Sequence, residues 1–166
     1  MKVAIIMGSD SDWPVLEPAV NQLAEFGIET EILVASAHRT PDKVHKFVAG
    51  AKERGVKVII AAAGAAAHLP GVIASFTTLP VIGIPVNATP LGGMDALLSI
   101  VQMPAGIPVA TMAINGAKNA ALFAAQILAV HDDELANRLT AHRQTMAEEV
   151  EKKDARLAEK IAAKNS

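Results

Sequence analysis

Apolar positions along the chain fall into short continuous runs separated by stripes of helical period. Residues 3-VAIIM-7 form an unbroken apolar run that stops at Gly8, the pattern of a strand covered on both faces. Pro14 opens a segment, 15-VLEPAVNQLAEFG-27, in which Val15, Leu16, Ala19, Val20, Leu23 and Phe26 recur at helical spacing, and Gly27 suits its end. Pro18 is expected within about the first turn, where a missing N–H does least harm. A second strand is predicted at 29–35. Thr40-Pro41-Asp42 reads as an N-cap, a first-turn proline and an acid at the positive helix end. That helix is expected to run to about Arg54 and to stop at Gly55. A third strand follows at 56–63, a short helix at 69–78 and a fourth strand at 80–86. A helix at 94–103, a fifth strand at 107–114 and a helix at 117–130 complete the series.

Strands alternating with helices at this spacing predict βαβ units and a parallel sheet. Five such units suggest an α/β fold of flavodoxin-like type, a three-layer αβα sandwich with a central parallel sheet. The organisation expected is a single domain with a core at 1–130 and a C-terminal helical arm at 131–166. Helix 117–130 is apolar on more than one face. Leu122, Phe123, Ile127, Leu128 and Val130 cannot all meet one sheet, so a second partner and hence an oligomer are expected. The arm is charged, with Glu148–Lys152 and Glu149–Lys153 at the stabilising i,i+4 spacing. Met146, Val150, Leu157 and Ile161 trace one apolar stripe along it. Two readings stand: a solvated helix that frays after about 155, or an arm that packs on another subunit.

Composition narrows the function classes. The 166 residues suit one domain, and 51% are apolar with only four phenylalanines and one tryptophan, so aliphatic side chains carry the packing. A formal charge of −2 gives no electrostatic reason to expect nucleic acid or an anionic membrane as partner. There is no cysteine, which removes disulfide and thiolate chemistry. No run reaches the roughly 18 apolar residues of a membrane helix, and no signal-like segment is read, so a cytoplasmic protein is expected.

In a doubly wound sheet, ligands bind beyond the carboxyl ends of the strands. Those ends read 8-GSDSDWP-14, 36-SAHRTP-41, 64-GAAAHLPG-71 and 87-NATPLGGMD-95. Ser9 and Ser11 offer hydroxyls near a helix start, where phosphate is favoured, although serines there are more often plain caps. Neither a GxGxxG nor a Walker loop is present, so neither a dinucleotide nor ATP hydrolysis is expected. Asp10 and Asp12 would repel a phosphate on their side chains; one of them could hold ribose hydroxyls. Arg39 supplies a positive fork for a phosphate. Histidine is the side chain that most readily exchanges protons near neutral pH, which makes His38 a candidate acid/base, with capping or packing as its plain alternative and a similar alternative for His68. Adjacent residues of an extended segment point to opposite faces, so a turn is needed to bring His38 and Arg39 to one site. His45, His131 and His142 lie outside these loops. His38 and His68 with Asp12 or Asp95 lack HxxxH or HxH spacing, and no metal and no cofactor are expected. The alanines and glycine at the third strand's end would let a flat ligand lie against backbone in a pocket that excludes water.

These loops, in this order, resemble the class I PurE family, the N5-carboxyaminoimidazole ribonucleotide mutases of purine synthesis. GSDSDWP, SAHRTP, AAAHLPG and PLGGMDALLSIVQMPAGIPVATMAI carry the resemblance, which runs from about Val3 to the helix near 130. It implies a flavodoxin-like homo-octamer with sites at subunit junctions and a small ribonucleotide substrate. It implies that His38 is catalytic, that Asp12 holds the ribose, and that the serines Ser9 and Ser11 with Arg39 hold the phosphate. Ser36 sits in the same motifs, and Ala63, Gly64, His68 and Leu69 are expected to wall the ligand. His68, in the HLPG segment, points to the mutases; the related carboxylases that take free CO2 carry a different sequence there. A non-catalytic flavodoxin-like nucleotide carrier is a further alternative, but with no tyrosine and only Trp13 the stacking platform is poor. The family often has more glycine before HLPG; here Ala62 and Ala65 stand where glycine is common, which costs about 1 kcal/mol wherever positive φ is required.

Overall fold

A computed structural model describes residues 1–164. Strands β1 (Lys2–Met7), β2 (Glu29–Val34), β3 (Val56–Gly64), β4 (Val81–Val86) and β5 (Ala110–Thr111) form one parallel sheet in the order β2-β1-β3-β4-β5. That is the doubly wound order expected from the alternating elements, and it puts the switch in winding direction between β1 and β3. The apolar runs occupy the centre. Ile5 and Ile6 of β1 and Ile59 and Ile60 of β3 are fully covered, as strands sandwiched between helix layers must be.

The helices are α1 (Trp13–Glu25), α2 (Pro41–Ala49), α3 (Leu69–Ser75), α4 (Met94–Val101), α5 (Ala117–Ala129) and α6 (Asp133–Lys164). Val44 and Val48 of α2, Leu69 and Ile73 of α3, and Ala96 and Ile100 of α4 join Ala4, Ile6, Ile59 and Ala61 in one core cluster. Val3, Ile5 and Met7 alternate to the opposite face of β1 and are equally buried. The buried face of α5 is almost all alanine, from Ala117 to Ala125 with Leu128. Phe123 and Ile127 are left only half-buried and Val130 is exposed, in keeping with the surplus of apolar faces on this helix.

Several boundaries differ from the sequence expectation, each for a local reason. A short 3₁₀ turn at Asp10–Asp12 leads straight into α1, so Pro18 is the sixth helical residue and lies beyond the first turn. Gly27, at φ 66°, ends the helix as expected, its N–H bonded to Ala24 O and that of Ile28 to Leu23 O. Helix α2 stops at Ala49, because Gly50 follows and the bonds tighten; the intervening turns are still closed by Gly55 at φ 83°. Thr40 occupies the N-cap position, yet its side chain makes no capping bond to the helix. Helix α3 ends at Ser75, ahead of the β-branched Thr77 and Thr78 and the breaker Pro80. The fifth strand is cut to two residues, since Pro108 has no N–H to give and the rest of the segment reaches β4 only through single bonds, from Met112 N to Gly83 O and from Asn115 N to Pro85 O.

Backbone contacts divide the chain into two compact units, Met1–Leu128 and a second starting at Ala129. The second unit is dominated by α6, which stays helical through Lys164 and does not fray near 155. Met146, Val150, Leu157 and Ile161 are all more than half exposed along it. Asn165 and Ser166, the end of the expected arm, lie outside the described residues. No helix among the described residues is long and apolar enough to cross a membrane.

Candidate active site

The loops after β1, β2, β3 and β4 meet at the carboxyl edge of the sheet, around a cleft of about 370 Å³. It opens beside the β1/β3 switch point, where the topology leaves room between diverging connections.

Gly8, Ser9, Ser11 and Asp12 line the cleft from the first loop. Ser9 caps the 3₁₀ turn, accepting from the Ser11 backbone N–H at 3.3 Å and from the Ser11 hydroxyl at 2.8 Å. Asp12 is buried at the start of α1. Burial raises its carboxyl above the ordinary value; a hydrogen bond from the Ser9 backbone opposes the rise and the neighbouring Asp10 charge adds to it. In linkage terms, a carboxyl held above its unfolded pKa favours folding in acid, and that advantage is lost as pH rises through the folded pKa. Asp12→Asn is therefore expected to raise the melting temperature at pH 7 and to leave it nearly unchanged in acid. Thermal melts at the two pH values check this.

The second loop contributes Ser36, Ala37, His38 and Arg39. Its shape is set by a web of short-range bonds. Ser36 Oγ accepts the backbone N–H of His38 at 3.3 Å and of Arg39 at 3.2 Å. Thr40 Oγ1 accepts the Ser36 N–H at 2.9 Å and donates back to Ser36 O at 3.2 Å. Thr40 thus clasps the turn instead of capping the helix. This is the turn that brings neighbours His38 and Arg39 to one site. Arg39 Nη2 donates to Gly8 O at 3.1 Å, tying the second loop to the first and holding the guanidinium at the cleft wall.

Ala63, Gly64, Ala65, Ala66 and Leu69 form the wall from β3 and its loop, and Ala88 closes it from the fourth loop. At Gly64 a Cβ would lie 2.6 Å from Ala88 Cβ, so the close approach of these two loops depends on glycine there. Ala65 has φ 53°, whereas Ala62 lies within the regular strand. Of the two alanines, only Ala65 holds a positive φ and carries strain. Ala65→Gly is expected to stabilise the fold by about 1 kcal/mol, read as a rise in denaturant midpoint at unchanged slope.

His68 does not line the cleft wall. It stands against His38, with His38 Nε2 2.9 Å from His68 Nδ1 and the rings edge-on at 5.0 Å between centroids. At that distance one nitrogen must donate and the other accept, so the pair shares a proton and fixes both tautomers together. Of the residues expected at the site, Ser9, Ser11, Asp12, Ser36, His38, Arg39, Ala63, Gly64 and Leu69 share one cleft, and His68 joins it through His38. Gly8, Ala37 and Ala88 also line the cleft but were not singled out from sequence. They present backbone or a methyl group, and no side-chain chemistry marks them. Asp95 is committed to the fourth loop, accepting from Thr89 Oγ1 at 2.8 Å. Among the described residues no three metal-ligating side chains cluster.

A doubly wound α/β protein with a serine-bearing loop, an arginine tied to that loop and a histidine pair on one apolar-walled cleft is the class that the fold and site define. A family model described as AIR carboxylase matches residues 2–149. A Thermotoga maritima protein named N5-carboxyaminoimidazole ribonucleotide mutase is 55% identical, over 94% of this chain and 91% of that one. A Mycobacterium tuberculosis protein of the same name is 53% identical, over 98% and 93%. The crystal structure of Treponema denticola PurE superposes with a TM-score of 0.84 at 32% identity, covering 94% of this chain and 98% of that one. The chain belongs to the AIR carboxylase family.

Proposed function

We propose that this protein is an N5-carboxyaminoimidazole ribonucleotide mutase of purine synthesis. It moves a carboxylate from N5 to C4 of the aminoimidazole ring, with no ATP, metal or cofactor. The observation that carries the reading is the His38–His68 pair beside a wall of alanines, on the same cleft as a serine loop and an arginine.

The N5–carboxylate bond breaks first. Its electron pair stays on nitrogen, which takes a proton from His38, and CO2 is released beside the ring. The electron-rich C4 then attacks CO2, forming the new C–C bond. The tetrahedral C4 still carries its hydrogen, and His38, now neutral, removes it as the aromatic ring is restored. Protons and electrons balance, and one imidazole serves as acid and then as base. The Ala63–Ala66 wall excludes water and holds CO2 against C4, replacing a bimolecular encounter with a confined one. Ser9, Ser11 and Arg39 grip the remote phosphate and Asp12 the ribose hydroxyls, so binding energy away from the ring positions it. His68 holds the His38 ring in place.

The chain works as a single domain with an arm at 131–166, assembled as a cytoplasmic homo-octamer with sites at subunit junctions. The CO2-using carboxylase is the second reading, favoured by the description of the family model. Incubation with N5-carboxyaminoimidazole ribonucleotide, without ATP or added metal, separates the two. The proposal expects the C4-carboxylated product at high rate and slow turnover of aminoimidazole ribonucleotide at low bicarbonate. The reverse pattern assigns the carboxylase, and no product from either substrate removes both.

A further inference from the structure

Asp10 is an exposed acid in the middle of a loop suited to an anion, and it does not itself line the cleft. Its position in the hydrogen-bond network gives it a task. A serine hydroxyl has one proton to give. Here both serine protons are already given: Ser11 Oγ donates to Ser9 Oγ at 2.8 Å, and Ser9 Oγ donates to Asp10 Oδ1 at 3.2 Å. The relay of donors ends on a carboxylate. A phosphate monoester is largely dianionic near neutral pH and offers acceptor oxygens, so it needs these same protons.

We propose that Asp10 is an internal competitor for the ligand's phosphate: its carboxylate holds the Ser9 hydroxyl in the empty site and gives it up when the phosphate arrives, thereby setting affinity at that end of the cleft. The inference rests on the phosphate role of Ser9, Ser11 and Arg39 proposed above. Its consequence is selective. Free inorganic phosphate has no ribose or ring contacts with which to offset the displaced bond. A nucleotide has both. Asp10 thus keeps the cleft from retaining small anions. Its charge reaches the cleft, since it contributes to the rise in the Asp12 pKa.

The test is calorimetric titration with ribose 5-phosphate of the native chain, Asp10→Ala, Ser9→Ala and the double variant. Asp10→Ala is expected to bind roughly three- to tenfold more tightly, the size of one charge-assisted hydrogen bond partly offset by solvent. A merely structural residue would lose affinity on truncation. Ser9→Ala should bind more weakly, and in that background Asp10→Ala should bring little further gain, because the proton in dispute is gone. Weaker or unchanged binding by Asp10→Ala overturns the proposal. So does an equal gain with and without the Ser9 hydroxyl, which would reduce Asp10 to a general repulsive charge. If Ser9→Ala binds as tightly as the native chain, the phosphate role of Ser9 fails instead.

Discussion

His38→Asn should lower turnover by at least about 10²- to 10⁴-fold, the range of a general acid–base contribution, while the folded protein and its affinity for a phosphorylated ligand persist. Asparagine keeps a polar side chain in the turn but can neither give nor take a proton near neutral pH. The turn itself is fixed by Ser36 Oγ and Thr40 Oγ1 through backbone bonds, so the substitution leaves its scaffold untouched. Single-turnover kinetics with N5-carboxyaminoimidazole ribonucleotide, alongside a thermal melt and a ligand titration, separate the chemical step from folding and binding. Near-native turnover would take proton transfer away from His38. A loss confined to KM would make His38 a binding residue.

Arg39→Leu is expected to act on the other half of the reaction coordinate. Charge-assisted hydrogen bonds are worth about 1.5–3 kcal/mol each, so losing the guanidinium should raise KM for the phosphorylated substrate roughly 10- to 100-fold. The planar fork matters as well as the charge. Arg39→Lys should recover only part of the loss, because a lysine ammonium is a point donor and cannot reach Gly8 O and a phosphate at once in the same geometry. Steady-state kinetics on both variants check this. An unchanged KM for Arg39→Leu would place the phosphate elsewhere.

Much of this architecture could be read from residue patterns, because continuous apolar runs such as 3-VAIIM-7 admit few placements other than a strand buried on both faces. Loop order followed from the alternation of elements, and with it the gathering of Ser9, Asp12, His38, Arg39 and Gly64 on one cleft. The resemblance places glycine at position 65 as the common residue, which hints at strain, and Ala65 does hold a positive φ. Three features were out of reach. Thr40 has the position and chemistry of a cap, and only the three-dimensional turn shows that Ser36 takes its hydroxyl instead. The truncation of β5 depends on how few of its amides find β4, which residue preferences do not encode. The placement of His68 against His38 joins the loops after β2 and β3, 30 residues apart in sequence and on strands that β1 separates in the sheet.

The most direct test is a crystal structure of the protein with the C4-carboxylated nucleotide bound. The account predicts a His38 ring nitrogen about 2.6–3.2 Å from a reacting centre of the ligand, or one water removed, with the carboxylate against the alanine wall and the phosphate between the serine loop and Arg39. A His38 ring turned to bulk solvent, with the nucleotide's ring seated outside the cleft, would contradict it.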